Sequence, residues 1–215
     1  MKKKLLIFDL DGTIADTLCS IRDCVNMTMD KNGFPRRTYE EVRNSIGNGV
    51  RELMRLSLPE DKRSDEELVS KVIDDYGYFY DERCTSFDGA YDGMDEVIPE
   101  LVRRGYMLAV LSNKPDKHTQ MIVSSLFSNG EFSYVSGHAA LPRKPDPTSA
   151  LKIADTLGAK PCECAFIGDS EVDVKTARNA GMTSVACAWG YRPRELLTGS
   201  DFLIENAREL LDIFE

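Results

Sequence analysis

The clearest hydrophobic pattern lies near the start of the chain, where large apolar residues fill positions 5–8 without interruption. Such a run predicts a strand that is buried on both faces, as in a parallel sheet. Asp9 and Asp11 follow at once, and Gly12 permits a sharp turn of the backbone. Ligands of open α/β sheets bind beyond the carboxyl ends of the strands, so this pair of acids indicates chemistry or metal binding. Alternatively, one acid caps the next helix and the other is solvated.

The next stretch of the chain has a different periodicity. Its apolar positions recur at helical spacing and do not alternate with period two. They predict helices at residues 16–31, 39–46, 50–58 and 65–82. We therefore expect an all-helical domain at residues 15–85, which interrupts an α/β domain made of residues 1–14 and 86–215.

From residue 93 onwards, helical and strand patterns alternate. The predicted strands are 106–111, 134–136, 164–167, 183–187 and 202–204. The predicted helices are 94–104, one that follows residue 115 and runs through 126, 148–157, one that begins at 168–173, and 206–214. This alternation predicts an α/β fold with a Rossmann-like, mostly parallel sheet core.

Polar side chains stand near the carboxyl ends of four predicted strands. Because these ends meet at one edge of a parallel sheet, residues far apart in sequence can line one pocket. The residues concerned are Asp9, Asp11, Ser112, Asn113, Lys144, Asp169 and Asp173. Each alone has an ordinary explanation: the first-turn acids and the Ser-Asn pair can cap helices, and a lysine can simply be solvated.

Together these residues resemble the four motifs of the haloacid dehalogenase-like (HAD) phosphohydrolase superfamily, in order and at ordinary spacing. The motifs are Asp9-x-Asp11-Gly12-Thr13, Ser112-Asn113, Lys144-Pro145 and the acidic loop from Gly168-Asp169 to Asp173. The resemblance covers essentially the whole chain, and residues 15–85 are similar to the helical cap domain of the family.

The resemblance implies a reaction and a cofactor. Asp9 would attack phosphorus to form an aspartyl-phosphate, and Asp11 would serve as general acid and base. Mg²⁺ would be held by the carboxylates of Asp9 and Asp169 and by the backbone carbonyl of Asp11, with Asp173 orienting the metal shell or Lys144. Lys144 would bind the phosphoryl oxygens.

Further residues are expected to bind the substrate. Ser112 and Asn113 would donate hydrogen bonds to the phosphoryl group, and Thr13 belongs to the same group by its place in the first motif. In the helical domain, Gly47, Asn48, Gly49 and Arg51 begin a helix whose backbone amides and guanidinium suit a small carboxylate. The plain alternative is an interhelical turn with Arg51 in solvent.

This glycine-containing stretch, with Asp16, Thr17 and the Asn113-Lys114 loop, is similar to the phosphoglycolate phosphatase branch of the family. The resemblance therefore implies a Mg²⁺-dependent phosphatase that acts on 2-phosphoglycolate or a similar small phosphometabolite. A departure is Tyr91-Asp92-Gly93, where relatives often carry proline before the glycine.

The net charge and the lengths of the apolar stretches limit which partners and which location we expect. A net charge of −9 argues against nucleic acid, and we find no stretch long enough to span a bilayer. The basic start followed by the apolar run at 5–8 is too short for a signal peptide and ends in Asp9. We expect a cytoplasmic protein, a monomer or weak homodimer, whose partner is a small phosphorylated metabolite.

Other functions remain open at this point. A sugar-phosphate mutase such as β-phosphoglucomutase has the same core, and the residues also permit a pyrophosphatase or nucleotidase. A phosphorylatable receiver module shares the acidic cluster and a lysine but lacks the second aspartate and the helical insertion. A dehalogenase is disfavoured, because that branch of the family needs only one aspartate in the first motif and no metal.

Overall fold

The computed structural model of the protein describes residues 3–127 and 130–215. The chain divides into two compact units. The first runs to Asp16 and resumes at Gly89, and the second is Thr17–Asp88. The domain boundaries expected from the sequence, 14/15 and 85/86, fall slightly before these two divisions.

A six-stranded sheet forms the centre of the first unit, in the order β3-β2-β1-β4-β5-β6. Every pair of neighbouring strands is parallel, so the expected Rossmann-like core is confirmed. The strands are β1 Leu5–Phe8, β2 Met107–Pro115, β3 Tyr134–His138, β4 Cys164–Gly168, β5 Thr183–Cys187 and β6 Phe202–Ile204.

Helices connect the strands and make up the second unit, to which the first four of them belong. In chain order they are α1 Leu18–Lys31, α2 Tyr39–Ser45, α3 Val50–Ser57, α4 Glu66–Arg83, α5 Met94–Arg103, α6 Asp116–Leu126, α7 Thr148–Thr156, α8 Glu171–Ala180 and α9 Leu210–Ile213. In the second unit, Thr38 and Glu41 form a capping box at α2, and the Asp65 carboxylate caps α4. Among the described residues, no helix combines the length and apolarity that crossing a bilayer requires.

The apolar run at positions 5–8 lies at the centre of the core, and all four of its side chains are fully buried in β1. Leu5 and Ile7 share one apolar cluster with Phe166 of β4 and with Ile153 of α7. Because β1 lies between β2 and β4, the residues that follow it face the centre of the sheet edge.

Two elements differ from the sequence-based expectation. Strand β2 does not end at residue 111 but continues to Pro115, with a shift in its register against β3 after Leu111. The apolar pattern stops at Leu111, yet Ser112 and Asn113 stay buried because polar partners are available there. The predicted helix at 206–214 is a 3-10 turn, Ala207–Glu209, followed by the four-residue α9.

Candidate active site

The carboxyl ends of β1 and β4 bring acids from distant parts of the chain together. Asp9 directly follows β1, and its backbone N–H donates to the carbonyl oxygen of Ile167 in β4 at 2.8 Å. Asp169 directly follows β4, and Asp173 lies in the first turn of α8. All three carboxylates are nearly or fully buried.

Lys144 joins two of these acids. Its Nζ lies 2.8 Å from Asp9 Oδ1 and 2.7 Å from Asp173 Oδ1, and its side chain is only 3% exposed. The other oxygen of Asp173 accepts hydrogen bonds from the Ser170 backbone N–H at 3.1 Å and the Ser170 hydroxyl at 2.5 Å. Asp173 therefore has both oxygens engaged and fixes the Lys144 ammonium beside Asp9.

Asp169 is held by a different set of contacts. Its Oδ1 accepts a hydrogen bond from the Thr13 hydroxyl at 3.3 Å, and its Oδ2 accepts one from the Tyr191 backbone N–H at 2.7 Å. One oxygen each from Asp9, Asp169 and Asp173 lies within 4.8 Å of the other two. These contacts orient the Asp169 carboxylate toward its two acidic neighbours.

Burial and crowding change the proton affinities of these groups. Burial raises the pKa of Asp9 to about 7, against the opposing attraction of Lys144. Burial, followed by the charges of Asp173 and Asp9, raises the pKa of Asp169 well above its usual range. Burial works to lower the pKa of Lys144, but the attraction of Asp173 and Asp9 outweighs it and raises that pKa.

These shifts predict how stability depends on pH without divalent cations. Between pH 3.8 and about 7, folded Asp9 keeps a proton that the unfolded chain has lost. Stability should therefore fall as pH rises through this window. Denaturant unfolding in EDTA, repeated across this pH window, measures the effect. The free energy of unfolding should decrease less for Asp9→Asn than for the wild type. Identical slopes for the two proteins would contradict the shift.

The carboxylate cluster fits a hard divalent cation. Three acids share one buried space, whereas Lys144 supplies only one positive charge to it. Carboxylate oxygens are the ligands that Mg²⁺ prefers, and a cation there would offset the excess of negative charge. The Asp9 Oδ2 atom has no donor among the described residues, and the two donors to Asp169 are neutral. Asp173 contacts the Lys144 ammonium through one oxygen and two Ser170 donors through the other. Asp9 and Asp169 therefore suit direct ligation better than Asp173.

Asp11 has a lysine partner of its own. The Lys114 ammonium lies 2.9 Å from both Asp11 carboxylate oxygens, and the lysine side chain is 6% exposed. In the sequence, Lys114 is notable only as part of a loop that resembles one branch of the family. An apolar strand that ends in polar residues with a lysine among them is the signal that could have indicated this pair.

Ser112 and Asn113 lie at the same edge, near the end of β2. The Asn113 side-chain oxygen accepts the Lys144 backbone N–H at 2.8 Å, and its amide nitrogen donates to the Lys144 carbonyl at 3.0 Å. The Ser112 hydroxyl oxygen accepts the Lys114 backbone N–H at 3.2 Å. Asn113 thus holds the backbone that carries Lys144, and direct contact of either residue with a phosphoryl group stays a prediction.

Glycines allow the backbone to approach the acids closely. A Cβ added at Gly12, whose φ is +86°, would lie 2.4 Å from Asp169 Oδ2. A Cβ added at Gly190 would lie 2.2 Å from Asp169 Cβ and 2.5 Å from the Gly12 carbonyl oxygen. Neither position accommodates a side chain without moving Asp169.

We therefore expect Gly190→Ala to destabilise the protein by about 1–3 kcal/mol, because the loop that binds Asp169 must shift. Gly77→Ala is the matched control: nothing lies within 4 Å of its added Cβ. Gly77 lies inside α4, where alanine favours the helix more than glycine does. The free energy of unfolding of the control should therefore rise by roughly 0.5–1 kcal/mol. Thermal unfolding checks both, and a Gly190→Ala protein as stable as the control would contradict this reading.

The predicted cap residues lie in the second unit. Gly47 and Gly49 have φ values of +101° and +87°, which favour glycine, and Gly49 precedes the first residue of α3. Arg51 forms an ion pair with Glu66 of α4 at the surface. The substrate-binding role of Gly47, Asn48, Gly49 and Arg51 stays a prediction.

Comparison with known proteins identifies the family. The profile of haloacid dehalogenase-like hydrolases matches residues 6–187, and the chain belongs to this family. The phosphoglycolate phosphatase of Haemophilus influenzae is 30% identical over 98% of this chain and 97% of its own length. The phosphoglycolate phosphatase of Psychrobacter arcticus is 31% identical over 100% of this chain and 94% of its own length. Within its family the chain is therefore a phosphatase of the phosphoglycolate phosphatase-like kind.

The fold agrees with that assignment. The crystal structure of a predicted phosphoglycolate phosphatase from Haemophilus somnus superposes with a TM-score of 0.93 at 27% identity. The match covers 100% of this chain and 99% of the other.

Proposed function

We propose that the protein is a Mg²⁺-dependent phosphomonoester hydrolase that forms an aspartyl-phosphate on Asp9. The observation that carries the proposal is the Asp9 carboxylate, buried beside two further acids and 2.8 Å from the Lys144 ammonium. This arrangement favours a nucleophile that receives a negatively charged group, because the cation offsets the charge that the group brings.

Each neighbouring residue has a part in the proposed reaction. Asp9 attacks phosphorus, and the bond to the departing alkoxide breaks as Asp11 supplies a proton to it. Asp11 then accepts a proton from the water that hydrolyses the aspartyl-phosphate. Lys144 binds the phosphoryl oxygens, while Asp173 and Asn113 keep its ammonium and its backbone in position. Thr13 orients Asp169.

Mg²⁺ would be held by the Asp9 and Asp169 carboxylates, with the Asp11 backbone carbonyl as a further ligand by family resemblance. When bound, it supplies positive charge that neutralises the carboxylates and the phosphoryl oxygens. Asp173 serves this site indirectly, through its two contacts with Lys144 and Ser170.

The proposed substrate is 2-phosphoglycolate or a similar small phosphometabolite. The relatives that match the chain along nearly its whole length carry the name phosphoglycolate phosphatase, which supports this choice. A screen of small phosphomonoesters for phosphate release, with and without Mg²⁺, tests it. We expect Mg²⁺-dependent release with the highest kcat/KM for 2-phosphoglycolate. Interconversion of sugar phosphates without phosphate release would contradict the proposal and favour a mutase.

The cap residue Arg51 gives a sharper test of substrate choice. If Arg51 exchanges Glu66 for the substrate carboxylate, Arg51→Ala should reduce kcat/KM for 2-phosphoglycolate about tenfold more than for p-nitrophenyl phosphate. Arg55→Ala is the matched control, since Arg55 lies on the same helix and pairs with Glu52. Equal losses on both substrates would remove Arg51 from the binding site.

A further inference from the structure

A cavity of about 160 Å³ lies within the first unit, between the ends of β2 and β3 and the start of α7. This is far more than the roughly 10–15 Å³ that one water needs. None of the four acids of the candidate active site lines it, although Ser112, Asn113 and Lys144 form part of its wall. The hydrogen-bonded Asn113–Lys144 pair is thus shared by the cavity and the active site.

The charged residues that line this cavity are all basic. Arg143 and Lys152 line it, and no Asp or Glu is among its lining residues. Within residues 3–127 and 130–215, neither cation forms an ion pair. The chain has 36 acidic residues against 27 basic ones, and most of its arginines pair with a carboxylate. Two unpaired cations at one cavity therefore need an explanation.

Buried nitrogen atoms at the same cavity point to a missing partner. Arg143 Nε and His138 Nδ1 are both inaccessible to solvent and without a hydrogen-bond partner in the described part of the protein. Burying a guanidinium N–H without an acceptor costs free energy. All side-chain nitrogens of Arg143 are donors, so only an acceptor can satisfy this N–H. Burial, and next the charge of Arg143, lower the pKa of His138, consistent with a cation close to this imidazole.

We propose that this cavity binds a small oxyanion, a carboxylate or phosphate-type group, through the Arg143 guanidinium. Lys152 at the exposed rim adds attraction for an anion, and the apolar side chains of Leu111, Leu141 and Ile153 accommodate a short carbon skeleton. No carboxylate of the Asp9 cluster lines this site, and anion binding in it does not depend on the proposed phosphatase mechanism. Lys144 is among the lining residues, so an occupant lies next to the segment that carries this lysine.

Equilibrium dialysis with labelled sulfate, in the presence of Mg²⁺, tests the site on the full chain. The wild type should bind sulfate at a site that Arg143→Gln weakens about ten- to hundredfold, the effect of losing a charge-assisted hydrogen bond. Arg103→Gln is the control, because Arg103 is exposed, pairs with Glu100 and lies on α5. It should bind sulfate as the wild type does.

Two further measurements test the site if Arg143→Gln does not fold. Lys152→Gln changes an exposed side chain and should weaken sulfate binding several-fold, by loss of a nearby charge. Crystals grown with selenate should show an anomalous peak beside Arg143. Displacement of sulfate by phosphate or by acetate supports the site and distinguishes a phosphate-type from a carboxylate ligand. Sulfate binding that is unchanged by both variants, or no selenate at Arg143, would overturn the proposal.

Discussion

Asp9→Asn should abolish phosphate release, lowering kcat by at least about four orders of magnitude. An amide lacks the negative charge and nucleophilicity of the carboxylate, and Asp9 has no substitute, since Asp169 and Asp173 are fixed by other contacts. The protein should remain folded, because Lys144 keeps its 2.7 Å contact with Asp173. Phosphate release from 2-phosphoglycolate and from p-nitrophenyl phosphate measures the effect.

Asp212→Asn is the matched control for this substitution. Asp212 lies in α9, is exposed to solvent and is remote in the chain from every motif of the site. It should have wild-type kcat and a free energy of unfolding within about 0.5 kcal/mol of the wild type. If the Asp9→Asn protein is folded and has the same kcat as this control, Asp9 is not the nucleophile.

Lys144→Met should affect both stability and turnover. Removing one partner of a buried ion pair leaves uncompensated carboxylates, which costs about 3–5 kcal/mol. Asp9 and Asp173 both lose their close cation, and Asp9 Oδ1 and Asp173 Oδ1 now face each other without it. Lys144→Met also removes a charged donor to the phosphoryl group. This loss should lower kcat by roughly 10²–10³-fold, the effect of removing an oxyanion-hole donor.

The control for Lys144→Met is Lys175→Met. Lys175 lies on α8, the helix that also carries Asp173, but its side chain is exposed. Denaturant unfolding should give a change within about 0.5 kcal/mol for the control and the larger loss for Lys144→Met. If the two variants have the same stability and the same kcat, the buried ion pair does not have the importance that we assign to it.

The position of the candidate site could be predicted because parallel topology and the resemblance of its motifs to one family indicate the same sheet edge. The apolar run at 5–8 indicates a central buried strand, and the carboxyl ends of parallel strands share an edge. Asp9, Asp169 and Asp173 therefore had to converge once the strands were recognised, and their oxygens lie within 4.8 Å of one another. Helical periodicity likewise indicated the four helices of Thr17–Asp88.

The partners of individual side chains could not be predicted in the same way. Asn113 binds the backbone of Lys144, and Lys114 binds Asp11, 103 positions away in the sequence. Both contacts depend on the path of irregular segments near the ends of β2 and β3, which carry no periodic signal. The continuation of β2 to Pro115 was missed for a related reason, because its last residues are polar yet buried.

The unpaired nitrogens of Arg143 and His138 are a third feature that the sequence does not reveal. Whether a cation has a carboxylate partner depends on tertiary packing, and a surface lysine or arginine has the same sequence signature as a buried one. Only the folded structure distinguishes Arg143 from the many paired arginines of this acidic chain.

A pre-steady-state experiment on Asp11→Asn tests the covalent step most directly. The departing nitrophenolate of p-nitrophenyl phosphate needs little help from an acid, whereas hydrolysis of the aspartyl-phosphate needs a base. The variant should therefore release about one equivalent of nitrophenolate in a burst, then turn over slowly, and mass spectrometry should find the phosphoryl group on Asp9. Steady nitrophenolate release without a burst, from protein whose Asp9 stays unmodified throughout, would contradict the account.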